Sequence, residues 1–130
     1  MRQTFTKDER LCKKSLIARL FKEGTPVFVY PFRALTLRTP LDTKYPCQIL
    51  IAVPKHCIRK AYCRNLIKRR IREAFRKNKH ILYTKLSEPD KQMAICLTYT
   101  PKEILPYSLI EEKIIVLLRR LSEGYEVTSR

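Results

Sequence analysis

Between Lys60 and Lys79 the chain holds neither proline nor glycine, and its apolar residues recur with a period near 3.6. Good helix formers fill the gaps, so the stretch to about residue 80 is predicted as an amphipathic helix. On a helical wheel Cys63, Ile67, Ile71, Ala74 and Phe75 fall within a sector of about 120°, the width of a usual core stripe. Such a stripe cannot stay wet, so the rest of the fold has to supply an apolar surface for it. Arg64, Asn65, Lys68, Arg69, Arg72 and Arg76 fill the adjoining arc. Their spacings stack cations in a row, where guanidinium forks take phosphate oxygens in pairs and Lys68 acts as a point charge. Glu73 stands four residues after Arg69 and three before Arg76, the position of an intrahelical ion-pair partner.

The surface for that stripe is legible on either side of it. Residues 13–23 place Leu16, Ile17, Leu20 and Phe21 on one helical face, with Gly24 where a C-cap belongs. From Pro26 to Thr39 β-branched and aromatic residues dominate, interrupted by Pro31, which predicts two short strands or one bent edge strand. Residues 47–53, CQILIAV, are continuously apolar and closed by Pro54, which predicts a strand buried on both faces at the centre of the sheet. Residues 87–91 form a polar break, 93–99 another strand, and about 107–122 a last helix with Leu109, Ile110, Ile114, Leu117, Leu118 and Leu121 on one side. The order α-β-β-β-α-β-α describes a single α+β domain over residues 1–130, a two-layer sandwich of helices on a sheet. Residues 1–9 and 123–130 are predicted as flexible termini.

Charge then narrows the partner. The formal net charge is +16, and residues 59–80 alone carry +9, against +7 for residues 1–58 and none for 81–130. A field this concentrated opposes folding by self-repulsion and suits a polyanion, of which nucleic acid is the commonest for a compact domain. Asn65, an indifferent helix former among arginines, suits a hydrogen-bonding task toward a ribose, a base edge or a neighbouring backbone group. Membrane-surface binding fits poorly, because the stripe lacks a Trp- or Leu-rich wedge and is needed for the core.

Several chemistries are excluded. Two glycines a hundred positions apart cannot build a phosphate-cradling loop. Asp8, Asp42 and Asp90 are far apart and offer no two-metal carboxylate site, and neither histidine has an evident relay. Five cysteines without a C-x-x-C pair predict neither a disulfide framework nor a zinc site, which fits a reducing cytoplasm. His56, Cys57 and Cys63 could be assembled into a metal site on paper, but cysteine at core positions serves as a small hydrophobe. No metal site and no catalytic residue are expected in the chain. Neither a signal peptide nor a membrane span fits apolar runs of five residues.

The stretch Val53–Arg76, VPKHCIRKAYCRNLIKRRIREAFR, resembles the signature of the bacterial ribonuclease P protein subunit. In that family a strand ending in a Lys-containing turn leads into a helix of the form K-A-x-x-R-N-R-x-K-R-x-x-R-E. The match holds at Lys60, Ala61, Arg64, Asn65, Lys68, Arg69, Arg72 and Glu73, and extends to R-L-x-K at Arg10–Lys13 and L-F-K-x-G at Leu20–Gly24.

The resemblance implies a small cofactor of a catalytic RNA, in a holoenzyme that hydrolyses precursor tRNA to release its 5′ leader. The RNA and its Mg²⁺ ions would do the chemistry, and the protein alone would be inert. A non-catalytic ribosome- or RNA-associated module is the alternative; an autonomous nuclease is a third. By resemblance, Arg64, Asn65, Lys68, Arg69 and Arg72 would contact the catalytic RNA, together with Lys55, Lys60 and Arg76 on the same basic approach. A cleft between the first helix and the sheet would hold the single-stranded leader, with Phe21, Lys13 and Lys55 carried onto it. The implied fold contains a left-handed β-α-β crossover, as in the second domain of a small-subunit ribosomal protein. Leu66 departs from the family's second arginine, and Arg70 is expected to replace that contact. Ile17 and Leu35 stand where some relatives have leader-stacking aromatics, with Phe32 as the expected substitute. Pro54 and His56 replace the more usual small residue and lysine of the turn. No obligate protein partner is inferred.

Overall fold

The computed structural model describes residues 5–86 and 92–128, so the predicted break at 87–91 lies outside the described residues. Helix α1 (Lys14–Glu23) leads into β1 (Thr25–Val29) and β2 (Phe32–Arg38), followed by β3 (Cys47–Ala52), α2 (Ala61–Asn78), the single turn α3 (His80–Tyr83), β4 (Met93–Tyr99) and α4 (Tyr107–Thr128). The predicted element order holds, with α3 and a 3-10 turn at Lys7–Glu9 added, and α4 runs past its predicted end at residue 122. Pro31 lies in the turn between β1 and β2, so the residue 26–39 region resolves into a hairpin rather than one bent strand.

The strands lie in the order β1-β2-β4-β3, with β2 antiparallel to both β1 and β4, and β3 parallel to β4. Helix α2 lies within the crossover between those parallel strands. The alternation of side chains divides the sheet into two faces. Val29, Phe32, Ala34, Cys47, Ile49, Met93, Ile95, Leu97 and Tyr99 face the stripes of α2 and α4 and form the main core. Ala94 and Cys96 point the other way and are covered by Leu11, Leu16 and Leu20, with Ile17, Leu35, Leu37 and Leu50 packed at the margin. Only β2 and β4 have neighbours on both sides.

The expectation that residues 47–53 form the centre of the sheet is therefore corrected: β3 is an edge strand, and β4 takes the inner place. A continuous apolar run reports that both faces are covered, and they are, Ile49 by the α2/α4 core and Leu50 beside α1. It carries no information about lateral neighbours. The outer edge of β3 is partly paired by the N-terminal segment, where Arg10 bridges Ile49 and the Leu11 N–H donates to the Ile49 carbonyl at 3.0 Å. This relieves an open backbone edge.

The described part of residues 1–9 is likewise not a loose tail. Phe5 sets its edge against the Phe75 ring at 5.8 Å. Thr6 N–H donates to Glu9 Oε1 at 2.9 Å. Glu9 is fully buried and accepts from Lys79 Nζ at 2.8 Å and from the Tyr83 hydroxyl. Burial pushes its carboxyl up, but the bonds from Lys79, Thr6 and Tyr83 outweigh that and hold it below the usual carboxylate value. Hydrophobic periodicity cannot reveal a buried ion pair whose members stand 70 residues apart. Gly24 closes α1 in extended rather than left-handed backbone, its N–H donating to the Leu20 carbonyl at 2.8 Å. An added Cβ would fall 2.3 Å from that same oxygen, so close approach is what glycine permits here.

Candidate nucleic-acid interface

Helix α2 buries Ile67, Ile71, Ala74 and Phe75, which fixes its rotation and turns the opposite arc to solvent. Its first turn contains no acid, so the partial positive charge of its N-terminus adds to the side-chain field. Arg69 and Asn65 are exposed, and the Asn65 amide has no hydrogen-bonding partner among the described residues. Lys68 and Arg72 are half-buried, Arg72 within electrostatic reach of Arg10 in the N-terminal segment. Burial lowers the proton affinity of the Arg72 guanidinium, and the neighbouring charges of Arg10 and Arg69 lower it further. Arg10 is exposed, its guanidinium 5.7 Å from the Phe5 ring. A like-charge group of this kind is unfavourable by itself and favourable around an anion.

The other cations of the helix are divided. Arg64 reaches back to the carbonyls of Ile58 at 2.9 Å and Arg59 at 2.6 Å, so it fastens the loop that enters α2. Arg76 bonds Glu73, as the spacing predicts, with Nε 3.1 Å from Oε2. That bond raises the Arg76 pKa and lowers that of Glu73. Arg70, half-buried, donates one guanidinium N–H to the Leu105 carbonyl at 2.7 Å, toward the segment that leads into α4. Leu66 is half-buried. Lys55 and Lys60 are exposed in and after the turn that joins β3 to α2. Tyr62, which pattern reading passed over, stands exposed three residues before Asn65 and seven before Arg69, with Lys60 Nζ 5.7 Å from its ring.

The residues expected in a leader cleft do not form one compact group. Phe21 is 61% exposed, which removes it from the core of α1. Lys13 lies at the other end of the same helix, about 12 Å away at 1.5 Å rise per residue. There it pairs with Asp42 at 3.2 Å, beside a cleft also lined by Arg10, Arg19, Thr39 and Gln48. Ile17 and Leu35 are half-buried in the packing of α1 on the sheet. Phe32 is corrected as a stacking residue: it is 1% exposed, on the opposite face of the sheet, with its ring against Tyr99. The aromatics that this stretch leaves open are Phe28, at 63%, with Arg33 opposite it on β2, and Tyr30 in the turn that follows. The alternation Val27-Phe28-Val29 is the sequence signal for Phe28, because two valines turned into the core put the ring between them on the other side.

Comparison with known proteins matches this arrangement to one family. A family model described as Ribonuclease P matches residues 5–122. The ribonuclease P protein component of Porphyromonas gingivalis is 31% identical over 117 residues, covering 90% of this chain and 85% of the relative. That of Chlorobium phaeobacteroides is 33% identical over 129 residues, covering 90% and 88%. Among solved structures, the ribonuclease P protein of Thermotoga maritima superposes with a TM-score of 0.68 at 28% identity over 86% of this chain and 96% of that one. The Staphylococcus aureus protein superposes with a TM-score of 0.70 at 23% identity over 88% and 96%, which speaks to the fold. With sequence, fold and nearly full-length coverage in agreement, the chain belongs to the ribonuclease P protein family.

Proposed function

We propose that the chain works as the protein cofactor of ribonuclease P, holding the catalytic RNA and the 5′ leader of precursor tRNA while the RNA cleaves the phosphodiester. The observation that carries this is the group formed by Asn65, Lys68, Arg69 and Arg72 on a packed helix whose first turn holds no acid, extended by Arg10 from the N-terminal segment. Rigid guanidinium forks at helical spacing suit a folded RNA backbone, because their ordering cost is met on folding rather than on binding. Lys55 and Lys60, exposed in the connection between β3 and α2, add to this charge, and Phe21 on α1 is open to a single strand whose bases need only a π-face to stack on.

The chain's own donors do not fit a divalent ion. Among the described residues no three His, Cys, Asp or Glu side chains come together. Glu9, Asp42 and Glu73 are each engaged by a cation. In this reading magnesium belongs to the RNA subunit, and the protein's part is to bind and position. Reconstitution tests the division of labour: at low Mg²⁺, precursor tRNA should be cleaved when protein and catalytic RNA are mixed. Cleavage by the protein without RNA would overturn it.

A further inference from the structure

The exposed ring of Phe28 is the end of an open row across the sheet. Strand pairing sets Phe28 opposite Arg33, Arg33 opposite Thr98, and Thr98 opposite Ala52. At the usual strand spacing the row spans about 14 Å. The parallel row Pro26, Leu35, Cys96 and Leu50 runs beside it, and α1 packs on its last three members. Beyond α1 the side chains shrink to a hydroxyl and a methyl, both half-exposed, so the row is a shallow floor with an aromatic wall at one end. Arg33 holds its guanidinium carbon 5.5 Å from the Phe28 ring centroid. A cation on that ring braces it and places a positive charge where a phosphate beside a stacked base would lie.

We propose that Phe28, braced by Arg33, is a stacking platform for one nucleobase of single-stranded RNA. It stands in for stacking that the aliphatic Ile17 and Leu35 and the buried Phe32 cannot provide. Paired bases hide their faces, so the occupant is an unpaired nucleotide, with Thr98 in reach of its sugar-phosphate and the exposed Lys55 beyond β3 completing a cationic border. This rests on the proposed function, which makes the unpaired strand the leader of precursor tRNA.

The test uses the holoenzyme reconstituted from full-length protein and catalytic RNA, and compares its affinity for precursor tRNA bearing a leader of several nucleotides with that for mature tRNA. Phe28→Ala and Phe28→Leu should each weaken the leader-bearing substrate about tenfold, within the range of one base–aromatic stack, and leave mature tRNA unchanged. Phe28→Tyr should bind like the parent, which a merely structural role for the ring would not require. Arg33→Ala should weaken the same substrate and flatten its salt dependence by about one phosphate contact. Equal losses for both tRNAs, or no loss, in variants that still activate the RNA would overturn the platform alone. Failure of the parent chain to activate the RNA would overturn the platform and the proposed function together.

Discussion

Glu9→Gln puts the joint between the N-terminal segment and α2 under direct test. Glu9 is completely buried, its Lys79 partner is 3% exposed, and their contact is 2.8 Å. The variant keeps the shape of the side chain and removes its charge, depriving the buried Lys79 ammonium, which lies by the rings of Tyr45 and Tyr83, of its Glu9 carboxylate. Breaking one side of a buried pair costs about 3–5 kcal/mol. For a domain of this length about 1 kcal/mol corresponds to roughly 3–5 °C in melting temperature, so a fall of at least about 10 °C is expected at neutral pH. Circular dichroism melts measure it. The pH dependence carries the sign: because the Glu9 carboxyl is held below 4.5, its stabilisation is present above that value and lost as pH falls through the folded-state value. The gap between parent and variant should therefore close on acidification. Replacing both partners, as Glu9→Gln with Lys79→Met, should restore much of the loss, since neither half of the buried pair is then left behind without the other. A melting temperature within about 2 °C of the parent in the single variant, on the same conversion, would refute the claim that this pair fastens the segment.

Three further outcomes follow from named contacts. Salt titration of RNA affinity should give a log–log slope of roughly −4 to −5 for about six phosphates, and Arg72→Ala should reduce its magnitude by about one, whereas Arg70→Ala should leave it unchanged. Phe32→Ala should lower stability by about 3–5 kcal/mol, as for other buried aromatics, while Phe21→Ala should leave the melt unchanged and weaken precursor tRNA more than mature tRNA. Cys47, whose thiol is pushed up to about 12 by burial despite its bond to Tyr83, should resist iodoacetamide at neutral pH in the folded chain, while exposed Cys12 reacts, with mass spectrometry as the readout.

What could be read from residue order was whatever a single element decides. The α2 stripe and the Glu73–Arg76 pair depend on spacings of three and four within one helix, and both are as expected. The sheet's centre was misplaced because β3 and β4 are both apolar on two faces, and lateral order depends on pairings between strands distant in the chain. Phe32 is buried where it was expected to stack, because the Pro31 turn resets the alternation between β1 and β2 and Phe32 pairs with the core-facing Val29. Arg70 lies among cations in the sequence, and only the docking of α4 shows that it faces a carbonyl. The charge total located the surface on α2 but concealed Glu9, an acid whose burial required knowing where Lys79 would come to rest.

The position of β4 has a consequence for synthesis. It is the last strand in the chain and an inner strand of the sheet, so until residue 99 has been made β2 has one partner and β3 has none from the sheet. A nascent chain ending after α2 would present two open backbone edges and an uncovered apolar stripe beside its strongest positive charge. Such species are the ones prone to wrong pairing. Closure of the sheet, burial of the stripe and completion of the basic face thus become one late event in which β4 zips both halves together. A truncation before residue 93 would yield no smaller version of the domain, because among the described residues no other strand pairs β3 with the hairpin.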